Sequence, residues 1–287
     1  KFSQFLLFYL CHKHPEPCTR LFVDFLLKRL QDARQPALTR CACAAYLASF
    51  LARCAAVPPA VVLAALQGLT QWAAEYCTAL RPHEMAVPDM ACLTTRHQVL
   101  YACVQAILYV LCYHLETLLS HHHHHPQRQS LNEAVRELIT ARLLPLLCHP
   151  LQPLGVCLPS VVAEARAQLA AHGLLAGLAL ETLVPLAAAV ASSTSRPSQR
   201  PLEMFFPFDP YLLKRSSRYL ELQSSYVRWR KGGARVAGRV TGASESEGEE
   251  DIDVALPVDE DGDMLLDDES DSDSDSSDSS SSSETED

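Results

Sequence analysis

Residues 94–120 read TTRHQVLYACVQAILYVLCYHLETLLS. Leu100, Val104, Ile107, Leu111, Leu115 and Leu118 recur at helical spacing as one stripe, and Val99, Cys103, Ala106, Val110 and Tyr113 form a second stripe beside it. A helix with two apolar stripes is buried on two sides, so other helices must flank it. The span His97–Leu115 carries no charge with histidine neutral, and Gly173–Ala191 carries only Glu181, so both approach the length of a membrane-spanning helix. Gln98, Gln105, His97 and His114 in the first, and Glu181 and Pro185 near the middle of the second, favour buried helices of a multi-layer helical protein outside any membrane.

Outward from this stretch the helical period dominates, with no convincing alternating strand pattern. Lys1–His12 is a helical segment that starts without methionine, as expected of a fragment, and it ends at the HKHPEP turn. From about Pro17 to Gln31 a helix places Cys18, Leu21, Phe22, Phe25, Leu26 and Leu30 on its apolar side and Arg20, Asp24 and Lys28 on its wet side. The next helix starts near Pro36 and buries Cys43, Tyr46, Leu47, Phe50, Leu51 and Cys54; Pro58–Pro59 starts another that reaches about Leu80. On the other side, His121–Gln129 reads as a loop, and Ser130 with Glu133 as a capping box opening a helix. Pro145, Pro150 and Pro153 stop that helix, Ser160 caps one to about His172, and Leu174–Ala191 completes the series.

Paired helices of this kind over residues 1–191 define an all-α fold, a HEAT-like repeat solenoid, with a closed helical bundle as the alternative. The remaining parts are a linker at 192–204, an aromatic and basic segment at 205–243, and an acidic Ser-rich tail at 244–287. That tail has too few apolar residues for a core and reads as disordered.

The charge is divided. Residues 244–287 hold 20 acids and no base, leaving 24 bases and 14 acids in residues 1–243, a body of +10 against a tail of −20. A basic body suits an anionic partner surface, including weak nonspecific DNA contact, which the tethered tail would screen. Ser244, Ser246, Ser270, Ser272, Ser281 and Ser283 each have an acid three positions on, the pattern of an acid-directed kinase site; a solubilising tail is the alternative.

The residues carry no catalytic constellation: no phosphate-cradling glycine loop, no HExxH and no nucleophile elbow, so neither an enzyme nor a cofactor site is expected. The eleven cysteines lie within Ala/Leu helical patterns at irregular spacing and read as small core residues of a reducing compartment. Cys11, His12, His14 and Cys18 offer zinc-type ligands, yet their spacing matches no standard site and crosses a helix end, and the His121–His125 run reads as a low-complexity loop.

The segment Phe205–Arg230 reads FFPFDPYLLKRSSRYLELQSSYVRWR. Its prolines force extended backbone, making a rigid aromatic knuckle, and behind it Lys214, Arg215, Arg218, Arg228, Arg230, Lys231, Arg235 and Arg239 face a single acid, Glu221. The rings suit an anchor on the last helices and the charges a partner contact. Phe205, Phe206, Phe208, Asp209, Lys214, Arg215 and Arg218 are the candidate partner-binding residues.

Three stretches together resemble one family: RLQDARQPALTRCACAAYLASFLAR (Arg29–Arg53), LQPLGVCLPSVV (Leu151–Val162) and FFPFDPYLLKRS (Phe205–Ser216) are similar to the RNA polymerase I-specific transcription initiation factors. The resemblance covers most of residues 1–230, and the knuckle followed by LKRS is its most specific part. It implies a HEAT-repeat fold and a non-enzymatic bridge in the nucleolus of the nucleus, one face binding RNA polymerase I near its stalk and another engaging the promoter-bound core factor. Its departures are an absent first part of the repeat array, an acidic run that is terminal rather than an internal loop, and the poly-His loop. A HEAT-type nuclear transport or scaffold adaptor is the alternative function.

Overall fold

The computed structural model describes residues 6–81, 90–119, 126–175, 206–208 and 226–227, all within one unit, Lys1–Asp253. Among these residues the chain is helical: α1 (Leu6–Lys13), α2 (Pro15–Gln31), α3 (Ala37–Arg53), α4 (Pro59–Ala79), α5 (Met90–Arg96), α6 (Gln98–Leu119), α7 (Pro126–Glu137), α8 (Leu144–Leu147) and α9 (Pro159–Ala171). A π turn, Leu138–Leu143, joins α7 to α8, and a 3-10 turn, Pro153–Gly155, precedes α9. The helices stack into a helical repeat fold in which α2 packs on α3 and α4, and α3, α4 and α9 pack on α6.

α6 is the centre of that stack. It packs against α3 and α4 on one side and α7 and α9 on the other. Only Gln98, Glu116 and Thr117 of its residues escape full burial. It is long and apolar enough to cross a membrane, but 89% of its apolar window is buried inside the protein, which makes it a core helix. Each fully buried Leu, Ile or Val along it contributes about 1.5–3 kcal/mol. Its polar side chains join the layers. Gln105 Oε1 accepts the backbone N–H of Leu158 at 2.7 Å where α9 begins, and Tyr101 donates its hydroxyl to Leu151 O at 3.0 Å. His114 Nε2 bonds Leu51 O at 2.8 Å, satisfying a carbonyl in the last turn of α3.

Proline sets the helix starts. Pro36 and Pro58 are the caps of α3 and α4, and Pro59 and Pro159 are the first residues of α4 and α9, positions where the missing N–H costs nothing. α9 ends on Gly173, whose φ of +67° lets Leu174 N reach back to Leu169 O at 2.9 Å, the left-handed closure that glycine adopts without a Cβ penalty.

Several boundaries and faces depart from the sequence pattern. The buried line of α2 is Thr19, Val23, Leu26 and Leu30, while Leu21 is 74% and Phe25 50% exposed. Thr19 can lie inside because its hydroxyl donates to the Pro15 and Glu16 carbonyls of the preceding turn. Tyr46 on α3 is likewise partly exposed. The expected helix Thr94–Ser120 is two helices, α5 and α6, parted at His97, whose ring bonds the Tyr76 hydroxyl at 2.8 Å. α7 begins at Pro126, so Ser130 lies inside the helix instead of capping it, and Ser160 sits one residue inside α9. Pro145 does not stop the helix. The π turn immediately before it, closed by Leu144 N to Ile139 O, gives the ring room where it would press on the carbonyl four residues back, and the helical path continues through α8. Leu174–Ala191 beyond residue 175, the His121–His125 run, the linker and the acidic tail lie outside the described residues.

Candidate partner interface

Two short pieces of the C-terminal region return to the N-terminal helices. Phe206 and Phe208 are 2% and 1% exposed. The Phe206 ring stacks on Tyr109 of α6, with centroids 4.0 Å apart and planes at 13°. The Phe208 ring meets Phe8 of α1 at 5.0 Å, Tyr46 at 5.9 Å and Phe50 at 6.1 Å. Phe8 also packs edge-on against Phe50 at 5.9 Å and parallel to Tyr226 at 6.0 Å. Ring pairs in these geometries contribute about 0.5–1.5 kcal/mol each beyond the area they bury.

The Phe208 backbone brought in with the rings is hydrogen-bonded on both sides. The N–H of Phe208 donates to Ser49 Oγ at 2.8 Å, and the Tyr226 hydroxyl donates to Phe208 O at 2.7 Å. Tyr226 pairs with Cys54 in an antiparallel β-bridge, with Val227 N bonded to Arg53 O at 2.7 Å. α3 ends in extended backbone at Cys54, so the strand has an edge to join.

Arg53 sits beneath this bridge at 4% exposure. Its guanidinium lies 5.0 Å from the Tyr113 ring and 5.6 Å from the Tyr226 ring, and Nη1 donates to Val227 O at 3.4 Å. A weakly hydrated, planar cation is the basic group best suited to lying between aromatic faces. Beside it, the Cys11 thiol of α1 is pushed far above the usual thiol range, first by its hydrogen bond to Cys54 and then by burial. Burial likewise pushes Cys157 up to about 12 and Cys41 and Cys77 up to about 11. Thiols held protonated at neutral pH are poor nucleophiles and poor metal ligands.

The four zinc-type residues differ in burial: Cys11 is in the core, Cys18 is partly buried, and His12 and His14 are exposed. Among the described residues no three His, Cys, Asp or Glu side chains gather into a metal-sized group.

The expectation that the rings of Phe206 and Phe208 themselves meet a partner does not fit their burial; both are spent on the protein's own core, as an anchor on α1, α3 and α6 instead of on the last helices as expected. Phe205, Asp209, Lys214, Arg215 and Arg218, and the six tail serines, lie outside the described residues. The sequence did not single out Ser49, Arg53 and Phe8, which form the receptor for the anchor. An arginine within the apolar run ASFLARCAAV was the available signal for Arg53.

Leu6, Tyr9 and Leu10 of α1, Leu21 and Phe25 of α2, and Leu38 and Tyr46 of α3 are the exposed large hydrophobic residues among those described. Lys13 lies over the Tyr9 ring at 5.5 Å and Arg29 over the Phe25 ring at 5.4 Å.

Comparison with known proteins gives the same answer in sequence and in fold. A family model described as RNA polymerase I specific transcription initiation factor RRN3 matches residues 1–233. The chain is 30% identical over 237 residues to the RNA polymerase I-specific transcription initiation factor RRN3 of Mus musculus, covering 80% of this chain and 34% of the mouse protein. It is 27% identical over 233 residues to the rrn3 factor of Schizosaccharomyces pombe, covering 80% of this chain and 36% of the yeast protein. The crystal structure of RNA polymerase I transcription initiation factor Rrn3 superposes with a TM-score of 0.59 at 17% identity, over 79% of this chain and 44% of that one, a likeness of fold. The chain therefore spans about a third of the length of the curated relatives it matches.

Proposed function

Because the chain belongs to the RNA polymerase I-specific transcription initiation factor family, we propose that it acts in initiation by RNA polymerase I, through binding and without catalysis. The match of the family model across residues 1–233 is the observation that carries this reading. In it the protein bridges polymerase I, near its stalk, to the promoter-bound core factor, and works in the nucleus at the nucleolus. A helical repeat array suits the task because its long surface can hold two partners at once.

Lys214, Arg215 and Arg218 are the proposed partner contact, flanked by Phe205 and Asp209. Support comes from their place in the chain: Lys214 follows the buried Phe208 by six residues, so the cations leave a fixed point on the helical body. The six tail serines are proposed phosphorylation sites, each phosphate adding about −1.5 to −2 charges to a segment already free of bases.

The test is a pull-down from nuclear extract with the full chain, in parallel with a variant carrying Lys214, Arg215 and Arg218 changed to Glu. Recovery of polymerase I or core-factor subunits by the first and not the second is the expected result. Recovery by both moves the contact elsewhere on the array. Recovery of transport factors alone, with no polymerase I subunit, overturns the reading in favour of an adaptor.

A further inference from the structure

Phe206–Phe208 and Tyr226–Val227 bind to helices formed far earlier in the chain, and what they hold down is α1. This helix has eight residues, too short to persist alone, and Phe8 and Cys11 are its buried residues. Phe8 takes the rings of Phe208 and Tyr226 as neighbours together with that of Phe50, so much of its enclosure is supplied by the returning segment. Cys11 meets Cys54, the residue whose backbone forms the bridge with Tyr226. The outer side of α1 contributes nothing to burial, with Leu6, Tyr9 and Leu10 exposed. At His14, with φ −134° and ψ 71°, the backbone leaves the helical region, which separates α1 from the longer α2.

The contrast with α6 is large. α6 is enclosed on nearly all sides by α3, α4, α7 and α9, and none of those contacts requires the C-terminal pieces except where Tyr109 receives Phe206 and Tyr113 faces Arg53. Local opening follows such differences: a short element with two buried residues opens at lower free energy than the core.

We infer that Phe206–Phe208 and Tyr226–Val227 form a strap over α1, and that strap and α1 open and close together as one local unit while α3 to α9 stay folded. Tyr226 is the residue that ties the two, since it stacks on Phe8, bonds Phe208 O, covers Arg53 and pairs with Cys54. The two ends of the described chain are thereby coupled. A ligand that orders either piece favours the closed form of the other.

Cys11 and Cys54 report the opening directly, because both are fully buried when the strap is closed, while Cys103 and Cys112 are buried on α6 and report global unfolding. The experiment is timed alkylation of the full chain with N-ethylmaleimide, read at each cysteine by peptide mass spectrometry, in the native sequence, in Tyr226→Phe and in Tyr226→Ala. Opening of the unit alone raises the labelling of Cys11 and Cys54 together, by about tenfold in Tyr226→Ala and by less in Tyr226→Phe, with Cys103 and Cys112 unchanged. Unchanged Cys11 and Cys54 in both variants overturns the inference. A rise at Cys54 without Cys11 shows that the strap opens and α1 does not, which also overturns it. If all four thiols in Tyr226→Ala rise in step, the milder Tyr226→Phe decides, and the same parallel rise there overturns the local unit.

Discussion

Ser49→Ala isolates the attachment of the knuckle. Ser49 is fully buried on α3, and its Oγ accepts the backbone N–H of Phe208 at 2.8 Å. Alanine removes the acceptor and leaves almost no cavity, so the effect comes from the loss of this hydrogen bond to a buried donor, about 1–3 kcal/mol. Alanine also favours the helix slightly over serine, which offsets a few tenths of that, roughly 0.5 kcal/mol at most. For a chain of this size each kcal/mol lowers the thermal midpoint by about 2–4 °C, so the expected fall is roughly 1–12 °C in a far-UV circular dichroism melt. The specific check is a double-mutant cycle with Phe208→Ala. That variant loosens the segment by deleting the ring that meets Phe8, Tyr46 and Phe50, and once the segment is loose the Ser49 hydroxyl no longer serves the Phe208 N–H. Ser49→Ala is therefore expected to cost little in the Phe208→Ala background, giving a coupling of about 0.5–3 kcal/mol. Additive effects in the two backgrounds would refute the attachment.

Other outcomes follow from the same structure. Thr70 Oγ1 is buried on α4 with no hydrogen-bond partner among the described residues, so Thr70→Val keeps the shape, removes the desolvated hydroxyl and is expected to raise the urea midpoint, by an amount equivalent to about 0.5–2 kcal/mol; a lower midpoint would refute it. Burial raises the Cys157 thiol from 9.0 to about 12, so the folded state holds this proton more tightly than the unfolded state; its contribution is complete below pH 9.0 and lost as pH rises toward 12. Cys157→Ala should therefore flatten the fall in urea midpoint across that window, and an unchanged slope would count against the burial. Pro145→Ala restores an N–H in a helical position and is expected to shorten the π turn, visible as new amide protection near Leu144 in hydrogen exchange; an unchanged pattern would mean that the proline does not set the turn.

Much of the fold was legible where one residue fixes local geometry. Pro36, Pro58 and Pro59 mark the starts of α3 and α4 because their φ is preset and their missing N–H is harmless there. The two stripes of α6 correctly announced burial on both sides, since periodicity reports how many faces are covered. Periodicity does not report which face a neighbour chooses. On α2 the apolar Leu21 and Phe25 face outward and Thr19 faces inward, because Thr19 hides its hydroxyl on Pro15 O and because α3 and α4 lie on that side. Ser130 had the pattern of a cap, yet Pro126 starts the helix a full turn earlier. The anchoring role of the knuckle rings could be read from its proline-locked aromatics, whereas the receptor could not. Ser49 and Phe208 are 159 residues apart and Arg53 and Val227 are 174 apart, and no local pattern carries a pairing over such distances.

The same separation sets a timetable for synthesis. α1 to α3 emerge well before the residues that complete their cover: Phe8, Phe22 and Phe50 can cluster, but the remaining rings belong to Phe208 and Tyr226. At about 5–20 residues per second the ribosome takes roughly 10–35 seconds to travel from Cys54 to Val227. Through that interval the aromatic cluster lacks the Phe208 and Tyr226 rings, and the end of α3 lacks its bridge to Tyr226 and Val227. A nascent chain is thus exposed to aggregation and to capture by chaperones at α1 to α3 until Phe208 and Tyr226 arrive.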